Sequence, residues 1–239
     1  MGDLIFVCGG YPEKFIANCW TANILGGNWT EIASMKTTRA WHTLTAVGDK
    51  LIATGGSDDF QFGTAWSAQD GISSVEVYTQ TSGNWEQASW SLPHNDLGHC
   101  VLSFSSVDEI IYISGAKTVN AVEVKKINVN TGESTDLATP DGGLGGHHYC
   151  VQHSDMVYMT EEESGKAWKY SITQNSWTKL ADVLDENPQG LAVVAEELTF
   201  FGSSGVKILR NGAWVNSNVQ PVGGMGEWFY EYPAIVVLP

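Results

Sequence analysis

A chain of 239 residues can hold one large β domain or two small ones; its 43% hydrophobic content and ten Trp suffice for a sizeable core, while 26 Gly and seven Pro suit a turn-rich globular fold. Twelve Lys and Arg against 27 Asp and Glu leave a formal charge of -15, which opposes a phosphate backbone or an anionic lipid surface. Nucleic acid and membrane are therefore excluded as expected partners, and no apolar run approaches membrane-spanning length.

In chain order, Leu4-Ile5-Phe6-Val7-Cys8 reads as a strand ending in the doublet Gly9-Gly10, and is followed by Cys19-Trp20-Thr21-Ala22-Asn23-Ile24 and by Asn28-Trp29. The next unit is fuller. His42-Thr43-Leu44-Thr45-Ala46-Val47 turns at Gly48-Asp49 into Leu51-Ile52-Ala53-Thr54 and a second doublet, Gly55-Gly56; after the segment 57–73 come Ser74-Val75-Glu76-Val77-Tyr78 and Gly83-Asn84-Trp85. Apolar residues alternating with period two predict strands with two differently packed faces. A third unit runs from His99-Cys100-Val101-Leu102 through Ile110–Gly115 and Ala121-Val122-Glu123-Val124, with Ser134 where Trp is expected. The fourth has His147-His148-Tyr149-Cys150, Met156–Met159, Ala167–Tyr170 and Ser176-Trp177, and the fifth Leu191–Val194, Leu198–Gly202, Val206–Leu209 and Ala213-Trp214. Ala234-Ile235-Val236-Val237-Leu238 stands alone at the end as a first strand with nothing after it.

Spacing turns these units into a repeat. From Trp29, Trp85, Ser134 and Trp177 to the next first strand the chain takes 13 or 14 residues each time, and successive first strands lie 57, 48 and 44 residues apart. Each unit predicts a four-stranded antiparallel sheet, so the chain is expected to be all-β: a five-bladed β-propeller and a single domain over residues 1–239. Blade 1 comprises 234–238 plus 4–33, blade 2 spans 42–90, blade 3 spans 99–139, blade 4 spans 147–181 and blade 5 spans 191–216. The C-terminal strand is expected to pair into the N-terminal blade and so remove the edges an open ring would leave.

The Gly9-Gly10 and Gly55-Gly56 doublets, Asn28-Trp29, Asn84-Trp85 and Ser176-Trp177, and the Arg39-x-x-His42 lead into a first strand resemble the kelch repeat, whose period is about 50 residues. The doublet is reduced to Ser114-Gly115, Thr160-Glu161 and Phe201-Gly202 in the later units, and five blades depart from the six or seven common in that family. The chain contains no Trp-Asp dipeptide, which argues against the WD40 repeat. Within such a fold Trp29, Trp85, Trp177 and Trp214 are expected to fill the wedges between blades as core residues.

Cys8, Cys19, Cys100 and Cys150 have neither CxxC spacing nor the density of a stapled scaffold. Buried free thiols are the expectation, with a Cys8–Cys19 pair as the alternative should these two lie on neighbouring strands in an oxidising compartment. Met1-Gly2-Asp3 leads directly into the first strand without a basic leader, which favours a cytoplasmic chain over a secreted one; the sequon Asn28-Trp29-Thr30 pulls slightly the other way.

Loops after the second strands and loops between blades leave an antiparallel blade on the same side. That side is expected to carry the site: Arg39, Trp41, Asp58, Asp59, Phe60, Trp66, Trp90 and His94, joined by Trp228, Phe229 and Tyr230 from the long connection before residue 234, with Phe62 and the acidic run Glu161-Glu162-Glu163 nearby. His42, His99 and His147 head three first strands around the channel, where a structural role is expected and a metal set is the alternative; His148 is expected to point the other way. These features predict a non-catalytic recognition module, a monomer without a cofactor, that takes a protein or peptide partner on its loop face, with the charge favouring a basic one. The alternatives are a small-molecule, carbohydrate or metal-binding propeller, or an enzyme with its site at the channel mouth. The chain has no Ser-His-Asp constellation, P-loop or dinucleotide fingerprint.

Overall fold

The computed structural model describes residues 4–237 except 12–13, 24, 59–70, 105–106, 115–121, 143–146, 163, 184–187, 203–204 and 218–233. Every regular element among them is a strand. Blade 1 holds β1 (Leu4–Cys8), β2 (Cys19–Asn23) and β3 (Thr30–Ile32); blade 2 holds β4 (Thr43–Val47), β5 (Lys50–Thr54), β6 (Ile72–Thr79) and β7 (Asn84–Asp96). Blade 3 holds β8 (Cys100–Ser103), β9 (Glu109–Ile113), β10 (Val124–Asn128) and β11 (Ser134–Asp136); blade 4 holds β12 (His148–His153), β13 (Met156–Glu161), β14 (Ala167–Ser171) and β15 (Ser176–Lys179). Blade 5 holds β16 (Pro188–Val194), β17 (Glu197–Gly202), β18 (Gly205–Arg210) and β19 (Ala213–Asn216), and β20 (Ala234–Val237) follows.

These strands form five four-stranded antiparallel sheets, each in chain order except the first, which runs β20-β1-β2-β3. The orphan strand therefore closes the ring as expected: Ala234 lies opposite Cys8 and Val237 opposite Ile5. The protein is a five-bladed β-propeller. Two strand limits stand out among those that differ from the sequence reading. β7 continues six residues past the expected end at residue 90, because β6 is eight residues long and two register shifts along it let its partner follow. β10 begins at Val124, the last residue of the segment expected to form that strand, with Val124 facing Ile113.

Apolar packing lies between sheets, as the wedge geometry requires. Phe6, Met35, Leu44, Leu51, Tyr78 and Trp85 fill the space between blades 1 and 2. Ile52, Val75, Leu92, Val101, Ile110 and Tyr112 do so between blades 2 and 3. The inner strands are also stitched by hydroxyls, Thr43 Oγ1 donating to the His99 carbonyl at 3.0 Å and Thr45 Oγ1 to that of Val101 at 2.5 Å. Trp85 is buried, and the half-buried Trp177 and Trp214 donate their indole N–H groups to the Ala138 and Ala181 carbonyls of the preceding blades, at 2.7 and 2.8 Å. Trp29 departs from the expected core role. It is 53% exposed at the head of the three-residue β3, and the stretch that precedes blade 1 in the ring, 218–233, lies outside the described residues.

The glycine doublets make room for histidines. Gly9 and Gly55 have φ of +66° and +59°, and a Cβ on Gly9 would stand 2.7 Å from Cε1 of His42, while one on Gly55 would stand 2.5 Å from Cε1 of His99. Each ring thus sits on the glycine that ends the second strand of the preceding blade. Only glycine accepts both this backbone conformation and this approach.

The expectation of free thiols is overturned, since no cysteine is free. Cys8 is bonded to Cys19, directly opposite it across β1 and β2, and Cys100 to Cys150, with Cα atoms 6.2 Å apart. The second bond joins the first strands of blades 3 and 4. Sequence spacing hid it, because the two residues are 50 apart in the chain and become neighbours only once the blades stand side by side.

Arg39 and Glu76 form a buried ion pair with no exposed side-chain surface on either partner. All five guanidinium N–H groups find acceptors: Nε and Nη2 reach Glu76 Oε1 at 3.4 and 3.1 Å, Nη2 also reaches Ser74 Oγ at 2.8 Å, and Nη1 reaches the Gly55 and Ser74 carbonyls at 2.8 and 3.0 Å. Glu76 takes two more bonds from the backbone N–H groups of Lys36 and Thr37, at 2.6 and 3.0 Å. Removing one partner strands the other charge in the interior. Arg39→Met is expected to cost about 3–5 kcal/mol, read as a lowered guanidinium unfolding midpoint. The double variant Cys100→Ser, Cys150→Ser is expected to cost about 2–4 kcal/mol by loosening the unfolded chain, and the same measurement checks it.

Candidate functional site

Three backbone segments meet at the loop ends of blades 1 and 2: the loop after β1, the connection from β3 to β4, and the residues after β5. Ala40 and Ser57 exchange two backbone hydrogen bonds of 2.9 Å, an antiparallel bridge that sets Trp41 beyond one end, on the Gly56 side, and Asp58 beyond the other, on the Arg39 side. Beneath them, Arg39 holds the connection against blade 2 and donates nothing to the surface. Asp58 is exposed, close enough to act electrostatically on the Arg39 guanidinium.

Trp41 is half-buried with φ of 55°. A bulky side chain at positive φ is a conformational outlier. The other five described non-glycine residues with positive φ, Ser154, Asn175, Ala195, Glu196 and Asn211, all lie in hairpin turns where that conformation is ordinary. Among the described residues, Trp41 alone adopts it in a connection between blades. Its indole stacks on Tyr11, ring centroids 6.3 Å apart and planes at 24°, and meets Phe15 edge-on at 5.9 Å; Tyr11 and Phe15 are 4.9 Å apart. All three rings are half-buried, so each keeps part of its surface toward solvent. Tyr11 and Phe15 went unnoticed in the sequence. The available signal was positional, for they occupy blade 1's counterpart of the 57–73 loop.

A second polar cluster sits where blades 2 and 3 meet. Tyr112 donates to Asp96 Oδ2 at 2.5 Å, its hydroxyl is 3.1 Å from His94 Nε2, and His94 lies 3.6 Å from Asp96 and 3.9 Å from Glu123. Hydrogen bonding to Asp96 raises the His94 pKa, aided by the Asp96 and Glu123 charges. Burial, with Asp96 beside it, pushes the Tyr112 hydroxyl well above the ordinary tyrosine value, so it is a hydrogen-bond donor at neutral pH.

The histidines differ from the sequence reading. His147 is half-exposed and pairs with Glu162 at 3.1 Å, whereas His148, expected to point away, is buried. One residue of shift along a strand exchanges its faces; with His148 opposite Glu161, it is His148 that joins His42 and His99 inside. Both ring nitrogens of His42 and of His148 lack a hydrogen-bond partner among the described residues, while His99 Nε2 lies 2.9 Å from Thr54 Oγ1. The set His42, His99 and His147 does not converge, and among the described residues no group of three His, Cys, Asp or Glu side chains is placed to hold a metal.

Of the other expected site residues, Trp90 is a packing residue. Its indole donates to the Val129 carbonyl at 2.9 Å and its Cβ lies over Gly132, in the turn at the opposite end of blade 3, because the lengthened β7 makes residue 90 mid-strand. Glu161 is buried and bound by Ser164 Oγ, with Lys166 Nζ at 3.9 Å, so the acidic run is not a free anionic patch. Asp59, Phe60, Phe62, Trp66, Glu163, Trp228, Phe229 and Tyr230 lie outside the described residues. The structure therefore places Trp41 and Asp58 on opposite sides of the Ala40–Ser57 bridge, sets His94 in a separate cluster, and removes Trp90 from the face.

No protein-family model matches the chain. It is similar to Kelch-like protein 36 of Rattus norvegicus and of Mus musculus, 26% identical over 214 residues that span 81% of this chain and 33% of each relative. Kelch-like protein 34 of Homo sapiens is 27% identical over 187 residues, 73% of this chain and 27% of that protein. The chain thus spans a third or less of the curated relatives it matches. The solved structure of YjhT superposes with a TM-score of 0.74 at 14% identity, covering 92% of this chain and 82% of that one, a likeness of fold.

The buried histidines make stability depend on pH. Burial, with Arg39 and His99 adding, lowers His42 from 6.5 to about 3, and burial lowers His148 to about 4. Between those values and 6.5 the unfolded chain binds the extra protons, so their contribution is complete above the unfolded value and is lost as pH falls below it. The loss is expected to reach about 1.4 kcal/mol per pH unit for each histidine. Denaturant midpoints from pH 7.5 to 4.5 check this; His42→Gln should reduce the slope by about one proton.

Proposed function

Because the chain is a kelch-repeat β-propeller, we propose that it is a non-catalytic recognition module whose loop face captures a protein or peptide, with Tyr11, Phe15 and Trp41 as the anchor and Asp58 selecting a basic neighbour in the partner. The conformation of Trp41 carries this reading. A half-buried tryptophan held at φ of 55° between the buried Ala40 and His42 carries backbone strain that glycine there would relieve, and such strain concentrates where a side chain must be presented. Aromatic anchors ringed by polar groups are the usual energetic centres of interfaces. The net charge of -15 favours encounter with a cationic segment and disfavours an anionic one. Similarity to kelch-like proteins points the same way, toward a propeller used as an interaction module.

Screening against peptides of graded charge that carry one central apolar side chain tests the proposal. Basic peptides should be retained, with affinity falling as salt rises. Trp41→Gly should weaken their binding at least tenfold, the loss of one anchor, while leaving the unfolding midpoint equal or higher because the backbone strain is relieved. Asp58→Lys should weaken binding and flatten its salt dependence. Retention that is indifferent to both substitutions would refute this face as the site.

A further inference from the structure

We propose that Asn28 is an N-glycosylation site and that the chain folds in an oxidising, secretory compartment. Two independent observations meet in this inference. First, all four cysteines are consumed in two disulfides, one inside blade 1 and one between blades 3 and 4. Cys8, Cys19 and Cys100 are almost completely buried, so these bonds are part of the folded core. Structural disulfides persist where thiols are oxidised and are rare where they are kept reduced.

Second, the sequon Asn28-Trp29-Thr30 lies at the surface on the connection between β2 and β3. Asn28, Trp29 and Thr30 are all exposed, and Thr30 opens a three-residue edge strand. Gly26 and Gly27 precede the acceptor with φ of +115° and +134°, and a Cβ on either would meet nothing within 4 Å. The acceptor therefore has open space and a pliable backbone on its N-terminal side. The same hairpin exposes Leu25 at 85% and Trp29 at 53%, two large apolar side chains flanking Asn28. A glycan there would cover this exposed apolar pair.

Chemically, the Asn28 carboxamide nitrogen bonds to the anomeric carbon of a lipid-pyrophosphate-linked oligosaccharide. The sugar–phosphate C–O bond breaks, the lipid pyrophosphate leaves, and the nitrogen gives up one proton. Each disulfide forms as two thiols pass two electrons and two protons to the compartment's disulfide-donating oxidant.

The test is to secrete the full chain behind a cleavable leader from a eukaryotic host and to make the same chain in a reducing cytosol. Secreted protein is expected to carry one glycan, released by peptide N-glycosidase with conversion of the Asn28 side chain to a carboxylate, and no thiol that a maleimide labels after unfolding. Asn28→Gln and Thr30→Ala should each abolish the glycan, and Thr30→Ser should restore it, with unchanged thermal midpoints. The cytosolic chain is expected to expose four thiols and to melt at lower temperature. Folded, secreted protein without a glycan at Asn28 would overturn the acceptor site, and a four-thiol chain as stable as the secreted one would overturn the oxidising compartment.

Discussion

A guanidinium with no solvent-exposed surface is the constraint on which the described face depends. Arg39 is buried among its acceptors because Glu76, on the third strand of blade 2, supplies the opposite charge and because the Gly55 and Ser74 carbonyls and the Ser74 hydroxyl take the remaining N–H groups. Burial alone would depress the guanidinium; Glu76 opposes that effect most strongly. Once this pair is formed, the connection from blade 1 cannot lift from blade 2. Ala40 then meets Ser57, and Trp41 is carried to the rim. An apolar strut would fill the volume, but it would not fix the register of three separate backbone segments, since it has no direction to its contacts.

The ring itself is closed by different means at different radii. Near the axis, histidines seated on glycines and threonine hydroxyls bonded to neighbouring carbonyls join the first strands. Farther out, apolar side chains from adjacent sheets fill the wedges. Among the described residues, Ala167, Val183 and Phe200 are the buried apolar side chains between blades 4 and 5, and there the Trp214 indole bond to Ala181 adds a directed contact.

Only part of the candidate face, Trp41 and Asp58, was legible before any coordinates, and the misses share a cause. Trp41 and Asp58 were identified because antiparallel connectivity alone dictates which loops share a side. Arg39 was identified with them, although it belongs beneath the surface, since a charged residue preceding a strand gives no sign of a buried carboxylate 37 residues away. Tyr11 and Phe15 were overlooked because they lie in a short loop, and the count of loop residues drew notice to the longer one. His147 and His148 were exchanged because a single residue of register decides which side chain faces inward.

By itself the sequence determined the all-β class, the five units, the closing strand and the side on which the loops emerge. Period-two alternation and turn residues are local properties, and a repeat multiplies their signal. Tertiary structure alone decided the Cys100–Cys150 bond, the Arg39–Glu76 pair, the inward turn of His148 and the joining of Tyr11, Phe15 and Trp41. Each of these depends on distances between segments far apart in the chain, which are set only when neighbouring sheets pack at a particular angle and register. The disulfide, the ion pair and the aromatic trio leave no periodic trace in the order of residues, because among the described residues each is made once and not repeated from blade to blade.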